Sequence, residues 1–423
     1  GLSPASVAGV INAAAARGMA CGNELSLFAQ ALADLKVDQA YAPQVIGITG
    51  TNGKTTVTTL TALLVQCAGK SVAVAGNIGP TLLDTLAEKI DESLGGQALP
   101  EVWVLELSSF QLDGIDNFEP TVAAVLNITQ DHLDWHETLP AYVAAKAHVY
   151  GRSGVMLLNR DDPLVMAALP PLVKGKQLRN YLTFGGDEPR RPGDYGIETV
   201  NGMTWLVRAV EADETVKRRK QEEVVLYVQR LMPLDALRIR GRHNATNALA
   251  ALGLAAAVGC NLAPMLHGLR EYRGEPHRLE SVAVLNEIEY FDDSKGTNVG
   301  ATVAALAGLG VDRKLVVILG GEGKGQDFSP LLEPVSRYAR AVVLIGRDAP
   351  LIRSALQASQ VPLLDAPTMS DAVRIAAQQA RSGDAVVLSP ACASFDMFDN
   401  YEHRAQAFCD AVQSLAHEQG ALL

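Results

Sequence analysis

The residues most suited to chemistry begin at 47–56, GITGTNGKTT. The common phosphate loop reads G-x-x-x-x-G-K-[ST]. Here Ile48 stands where its first glycine would fall, with Gly47 and Gly50 to either side. A strand over 45–48 enters the loop and a helix from Lys54 leaves it. In that setting backbone N–H groups approach anionic oxygens, the helix N-terminus adds its dipole, Lys54 supplies charge and Thr55 can ligate magnesium. Downstream, VWVLELSSF (102–110) sets Glu106 near the carboxyl end of an apolar strand. Open α/β sheets bind ligands at that end, and a carboxylate there can hold the magnesium of a nucleotide.

Further along, NITQDHLDWHETLPAYVAAKAHVYG (127–151) carries Asp131, His132, Asp134 and His136 in a loop, then Lys146 on a helix. Two readings stand side by side. One is a polar loop with a snorkelling lysine. The other is a second magnesium site, with His132 as one ligand and Lys146 as another after reaction with CO2 to a carbamate. Carbamylation needs a neutral amine, which a partly buried lysine can supply. HNATNALAALG puts Asn244 and Asn247 one turn apart on a helix. Asn244 suits a cap, and Asn247 is placed to read a base. EPHRLE (275–280) offers Arg278 for a γ-phosphate or for a structural ion pair. YFDDSKGTN (290–298) gathers Asp293, Ser294, Lys295 and Thr297 in a turn suited to ribose or carboxylate recognition. LGGEGKGQDF (319–328) and LSPACASFDMFDNYEHR (388–404) each follow a strand; Lys324, Ser394 and nearby amides would form a carboxylate pocket, and ordinary strand–helix turns are the alternative. Cys392 has no base arrangement beside it and reads as a small buried thiol.

The elements that position these groups alternate. From about 45 to 160, VIGITG, SVAVAG, EVWVLELSS, VAAVLNIT and GVMLLN read as buried strands separated by helices, the pattern of a mostly parallel, helix-covered sheet. Residues 195–240 read as antiparallel pieces (TWLVRAV, EVVLYVQRL). After a Gly/Pro-containing link at 271–278, a second alternating series runs through KLVVILGG, AVVLIG, VPLLDA and DAVVLSPA. The fold class is therefore α/β: a central P-loop-type, mostly parallel sheet domain with added antiparallel β pieces, then a C-terminal Rossmann-like α/β domain, with the boundary near Gly274.

A chain of 423 residues suits two or three domains. Its net charge of −11 argues against a coat for nucleic acid or anionic membrane. The one dense basic run, KRRK at 217–220, sits in a polar stretch and reads as a solvated loop. Five scattered cysteines without a CxxC pair fit a reduced, cytoplasmic protein without a zinc knuckle. The longest apolar run, 245–259, is too short to span a bilayer. Ser3-Pro4 opens a helix to about Arg17 with no strand ahead of it, so an N-terminal segment is expected to precede this chain.

Taken together, TGTNGKTT, LELSSFQL, NITQDHLD, AAK, GRHNATNALAA, PHRLE, DDSKGTN, LGGEGKGQDFSPL and LSPACASFDMF follow the order seen in the Mur ligases. The chain resembles that family nearly end to end. ELSSFQL and SPACASFDMF resemble its D-glutamate-adding branch, while the loop and the His/Lys region are shared with folylpolyglutamate synthases. The resemblance implies an ATP-dependent carboxylate–amine ligase of peptidoglycan-precursor synthesis that works through an acyl phosphate. Its implied substrates are UDP-N-acetylmuramoyl-L-alanine and D-glutamate, its cofactors ATP and two magnesium ions, with monomer as the default state. By the same resemblance Gly50, Thr51, Asn52, Gly53, Lys54, Thr55 and Thr56 cradle ATP, with Asn244, Asn247, Arg278 and Asp293 around the nucleotide. Thr55 and Glu106 hold one magnesium; His132 and carbamylated Lys146 hold the other. Asn77 and Ser108 face the UDP-sugar, and Thr297, Lys324, Ser394, Phe395 and Tyr401 the D-glutamate. Lys295 stabilises charge near the reacting centre. Tyr401 stands where such enzymes carry Phe. The implied domains are 1–33 (the tail of a UDP-binding domain), 34–274 (ATP-binding) and 275–423 (amino-acid-binding).

Overall fold

The computed structural model describes residues 4–19, 21–77, 79–212, 225–311 and 313–420. The KRRK run lies outside the described residues. Contacts divide the chain into two compact units. One takes the chain through Arg238 and then Ala245–Tyr272; the other takes Ile239–Asn244 and everything from Arg273.

In the first unit, helices α1 (Pro4–Ala15) and α2 (Glu24–Gln39) precede strand β1 (Gln44–Thr49), which runs through the loop into α3 (Lys54–Cys67). Asn23 and Ser26 form a capping box that starts α2, satisfying two otherwise orphaned N–H groups. Leu25 and Phe28 of α2 are fully buried, and the Phe28 ring meets Trp103 edge-on at 5.2 Å. Position 33, where a domain boundary was expected, lies inside α2, and α2 packs on the core of this first unit. Strands β2 (Val72–Gly76), β3 (Val102–Glu106), β4 (Val122–Val125), β5 (Val155–Asn159) and β6 (Tyr181–Phe184) complete a parallel sheet of order β2-β3-β1-β4-β5-β6. The inner strands are apolar on both faces because helices cover both, and each buried Val or Leu contributes about 1.5–3 kcal/mol. Strands β7 (Tyr195–Val200), β8 (Met203–Glu211) and β9 (Leu226–Pro233) form the expected antiparallel piece.

The second unit contains β10 (Glu280–Leu285), β11 (Ile288–Asp292), β12 (Leu315–Gly320), β13 (Ala339–Ile345), β14 (Leu363–Asp365) and β15 (Ala385–Leu388). Their order is β10-β11-β15-β12-β13-β14. The sheet is mixed rather than wholly parallel, because β10 and β11 pair as an antiparallel hairpin. From β12 the chain moves outward to β13 and β14, then returns to β15 on the other flank of β12. The reversal sets the carboxyl ends of β12 and β15 side by side at the point where the strand order turns back, the usual ligand position in such sheets.

Candidate active site

The loop of the first unit is held open by glycines and tied down by neighbours. Gly53 has φ +83°, a left-handed conformation that disfavours any side chain. A Cβ there would also lie 2.8 Å from Asn247 Oδ1. Asn247 therefore sits against the loop glycine. The Asn52 N–H donates to Asn127 Oδ1 at 2.8 Å, and Asn127 Nδ2 returns a bond to the Asn52 carbonyl at 3.0 Å. The Thr51 hydroxyl donates to the Thr129 carbonyl at 3.1 Å and lies 3.1 Å from the Tyr142 hydroxyl. Lys54 Nζ donates to the carbonyls of Gly50 and Thr51 at 2.9 and 3.0 Å. Thr55 and Thr56 are buried at the first turn of α3.

Parallel pairing of β1 with β3 brings Glu106 alongside Ile48, at the mouth of this loop. Glu106 is 2% exposed; its Oε1 accepts from Asn77 Nδ2 at 3.2 Å, and its Oε2 meets no hydrogen-bond partner among the described residues. A buried carboxylate oxygen without a donor is costly in isolation and well matched to a hard cation. Ser108 is engaged in a capping box with Gln111, which starts the short helix Ser109–Leu112.

Lys146 is 1% exposed. Its Nζ donates to the same Gly50 carbonyl at 2.9 Å and to Thr49 Oγ1 at 3.3 Å. Burial, then repulsion from Lys54, holds its pKa well below the ordinary lysine value. Nζ lies 4.7 Å from the centroid of the Tyr142 ring, and Tyr142 in turn neighbours the His132 ring at 6.4 Å. Tyr142 thus connects the loop, the lysine and the histidine. His132 itself has φ +52° and stands 3.7 Å from Asp131. Phe110 packs edge-on against His132 at 4.7 Å.

In the second unit Lys295, Thr297, Lys324, Ser394 and Phe395 lie on the loops that follow the carboxyl ends of β11, β12 and β15. The Glu322 and Ala393 backbones exchange two hydrogen bonds of 2.9 Å, joining the loop of Lys324 to the loop of Ser394 and Phe395. Gly321, at φ +131°, permits this, since a Cβ there would fall 2.2 Å from the Ala393 carbonyl. The Ala391 N–H donates to the Gly296 carbonyl at 3.0 Å, which ties in the turn bearing Lys295 and Thr297. Lys324 and Phe395 are exposed and Ser394 is buried. Lys295 Nζ lies 3.6 Å from the Tyr401 ring centroid. Asn244, also of this unit, donates from Nδ2 to the Arg240 carbonyl at 2.8 Å. Burial lifts the Asp293 carboxyl to about 7, against the opposing pull of Ser389, whose hydroxyl donates at 2.7 Å, and of Arg278.

Asn127, Tyr142, His277 and Asp292 were not singled out from the sequence. Local signals stood beside three of them: Asn127 ends an apolar strand next to the DH pair, His277 adjoins Arg278 in PHRLE, and Asp292 adjoins Asp293 in DDSKGTN. Cys392 is buried, and that burial raises its thiol to about 12, which suits packing rather than nucleophilic attack. No helix among the described residues is long and apolar enough to cross a membrane.

Residues 48–255 match the Mur ligase middle domain, and 277–392 match the Mur ligase glutamate ligase domain. A UDP-N-acetylmuramoylalanine–D-glutamate ligase from Polaromonas sp. is 74% identical over 93% of this chain and 67% of its own length. The enzyme of the same name from Albidiferax ferrireducens is 69% identical over 100% of this chain and 83% of its own. Among solved structures, the MurF ligase of Thermotoga maritima in complex with ADP shares the fold. Its TM-score is 0.63 at 18% identity, covering 94% of this chain and 86% of that one.

Proposed function

The chain belongs to the Mur ligases, and from that membership we propose that it joins D-glutamate to UDP-N-acetylmuramoyl-L-alanine with hydrolysis of ATP to ADP and phosphate. The observation that carries this reading is the 69% identity over the whole chain with a D-glutamate ligase. It acts in peptidoglycan-precursor synthesis, in the cytoplasm, as a monomer.

The lactoyl-L-alanine carboxylate attacks the γ-phosphate, releasing ADP and forming an acyl phosphate. The amine of D-glutamate then displaces phosphate through a tetrahedral intermediate. Bringing a carboxylate onto a triphosphate sets like charges together, so the loop must supply fixed positive charge. Gly50, Thr51, Asn52, Gly53 and Thr56 line the phosphates with backbone N–H groups and the helix terminus. Lys54 exchanges its loop carbonyls for phosphate oxygens, and Arg278 takes the γ-phosphate. Asn244, Asn247 and Asp293 complete the nucleotide contacts, while Asn77 and Ser108 face the UDP-sugar. Thr297, Lys324, Ser394, Phe395 and Tyr401 receive D-glutamate, and Lys295 balances charge near the reacting carbonyl.

The donor set suits two hard cations. Thr55 and the orphaned Glu106 oxygen would hold one magnesium, and His132 with a carbamate on Lys146 would hold the second. Bound there, the ions supply charge against carboxylate–phosphate repulsion. The depressed pKa of Lys146 supports the carbamate, because CO2 adds only to the neutral amine.

The test is phosphate release with ATP, magnesium and UDP-N-acetylmuramoyl-L-alanine, comparing D-Glu, L-Glu and L-Lys. Release that requires D-Glu is the expected result; equal release with L-Lys, or none with D-Glu, rejects the assignment. For the carbamate, 13C-bicarbonate should give a carbamate carbon resonance that Lys146→Arg lacks.

A further inference from the structure

Asp292 ends β11, beneath the turn that bears Lys295 and Thr297, and is fully buried. Its Oδ1 accepts from the Ser294 N–H at 2.9 Å and from the Ser294 hydroxyl at 2.5 Å. Its Oδ2 lies 2.7 Å from His277 Nδ1. His277 is held at two further points, its N–H donating to Glu280 Oε2 at 3.0 Å and its carbonyl accepting from the Lys295 N–H at 3.2 Å. These contacts keep it at φ +62°, an uncommon conformation for a residue with a Cβ. With Nδ1 directed at Asp292, Nε2 occupies the opposite edge of a ring that is 29% exposed. The ring meets Tyr401 edge-on at 5.9 Å, and Tyr401 carries Lys295 on its face.

The donors of His277, Glu280 and Asp292 cluster closely enough to suggest a metal site. The distance argues otherwise. Two ligands of one ion, each about 2.1 Å from it and at a right angle or wider, stand about 3.0 Å or more apart. The 2.7 Å separation is that of a hydrogen bond.

We propose that Asp292 is a positioning residue for the ligase reaction, holding His277 as its Nδ1–H tautomer so that Nε2 accepts the proton the incoming amino group must lose. This rests on the ligase reading above. An amino acid arrives as an ammonium, which has no lone pair. One proton passes to Nε2, and the freed pair forms the C–N bond at the acyl carbon. The C–O bond to phosphate breaks, and phosphate leaves with that electron pair and takes the second nitrogen proton. Anionic Asp292 stabilises the imidazolium so formed. Among the described residues, the charged or titratable groups near His277 include Glu280, Lys295, Tyr401 and Glu402, with Arg278 next in the chain.

Asp292→Asn tests this. The amide keeps the contact but donates to Nδ1, which turns the ring to the Nε2–H tautomer and removes the acceptor. The kcat for D-Glu-dependent phosphate release should fall at least about 100-fold, with KM for D-Glu and ATP within about threefold. In the full chain with 15N-labelled histidine rings, His277→Gln identifies the resonance. Wild type should show Nδ1–H and the Asn variant Nε2–H. A wild-type ring that is Nε2–H or doubly protonated at neutral pH overturns the proposal, as does an Asn variant with unchanged kcat or with only a raised KM. Should the variant not fold, the wild-type spectrum decides alone. Absence of D-Glu-dependent turnover in the wild type would instead strike the ligase reading, and the spectrum would still report the tautomer.

Discussion

In the first unit, charge is buried at the phosphate loop itself. Lys146 and Glu106 are almost wholly enclosed, and Lys146 shares the Gly50 carbonyl with Lys54. In the second unit two of the groups proposed to meet an amino acid, Lys324 and Phe395, stay accessible beside the buried Ser394, while Asp292, Asp293 and Arg404 are buried. Asp292, Asp293 and Arg404 there hold backbone and neighbouring side chains in place. The difference follows the chemistry. Phosphoryl transfer gains from fixed charge in a dry, low-dielectric site. Choosing an amino acid needs shaped loops that remain open to solvent, and so the charge goes into the supports.

The largest expected effect falls on the first region. Lys54→Ala should lower D-Glu-dependent ADP formation by about 10³-fold, with circular dichroism and the melting curve little changed. Wild-type turnover in this variant would remove the loop from the mechanism.

Arg404→Met probes the supports of the second region. The guanidinium is 1% exposed, and it donates to the Cys392 carbonyl at 3.0 Å and to the Ser294 carbonyl at 2.8 Å. It thereby staples the two pocket loops from below. Chemical denaturation should show a loss of about 3 kcal/mol, and surviving enzyme should need more D-Glu. A stable variant with unchanged KM would mean that the loops hold themselves.

Asp293 gives a pH signature. Its folded pKa of about 7 lies above the ordinary 3.8, so between those values the folded chain keeps a proton that the unfolded chain has released. The stability it contributes is full below about pH 4 and declines as pH rises through 7. Between pH 5 and pH 8 the wild type should lose about 2 kcal/mol relative to Asp293→Asn. Parallel denaturation curves at the two pH values would show that the carboxyl is not so perturbed.

The smallest effect is expected at Cys392. Its thiol, raised to about 12, should resist iodoacetamide in the folded protein while exposed Cys21 reacts, as mass spectrometry would show. Cys392→Ala should keep activity within about twofold, at a cost of about 1 kcal/mol. Rapid labelling of Cys392 would contradict its burial.

Much of the frame was legible in order. Buried runs such as VWVLE are continuous because helices cover both faces, and they read as strands without further context. The edge strand β6 and the hairpin β10–β11 were not foreseen. YLTF is short and half polar, and its pairing with β5 is a non-local event that no local pattern announces. The hairpin turn uses Asn286 and Glu287 at φ +50° and +61° rather than a glycine, so the usual turn signal was missing. The helical spacing marks Asn247 as a base reader, but its packing against Gly53, 194 positions earlier in the chain, is a contact that no local pattern announces.

The sequence by itself determined the two alternating sheets, the loop between β1 and α3, and the inventory of Lys, Asp, His and Asn at strand ends. Hydrophobic period, glycine placement and turn chemistry are local, and local physics can be read along one dimension. Only the tertiary structure decided which of those groups are buried and which meet. Glu106 kept an oxygen without a donor among the described residues, and Asp292 found His277 across 15 residues. Those outcomes depend on strand register and on desolvation, and both are set by partners far away in the chain.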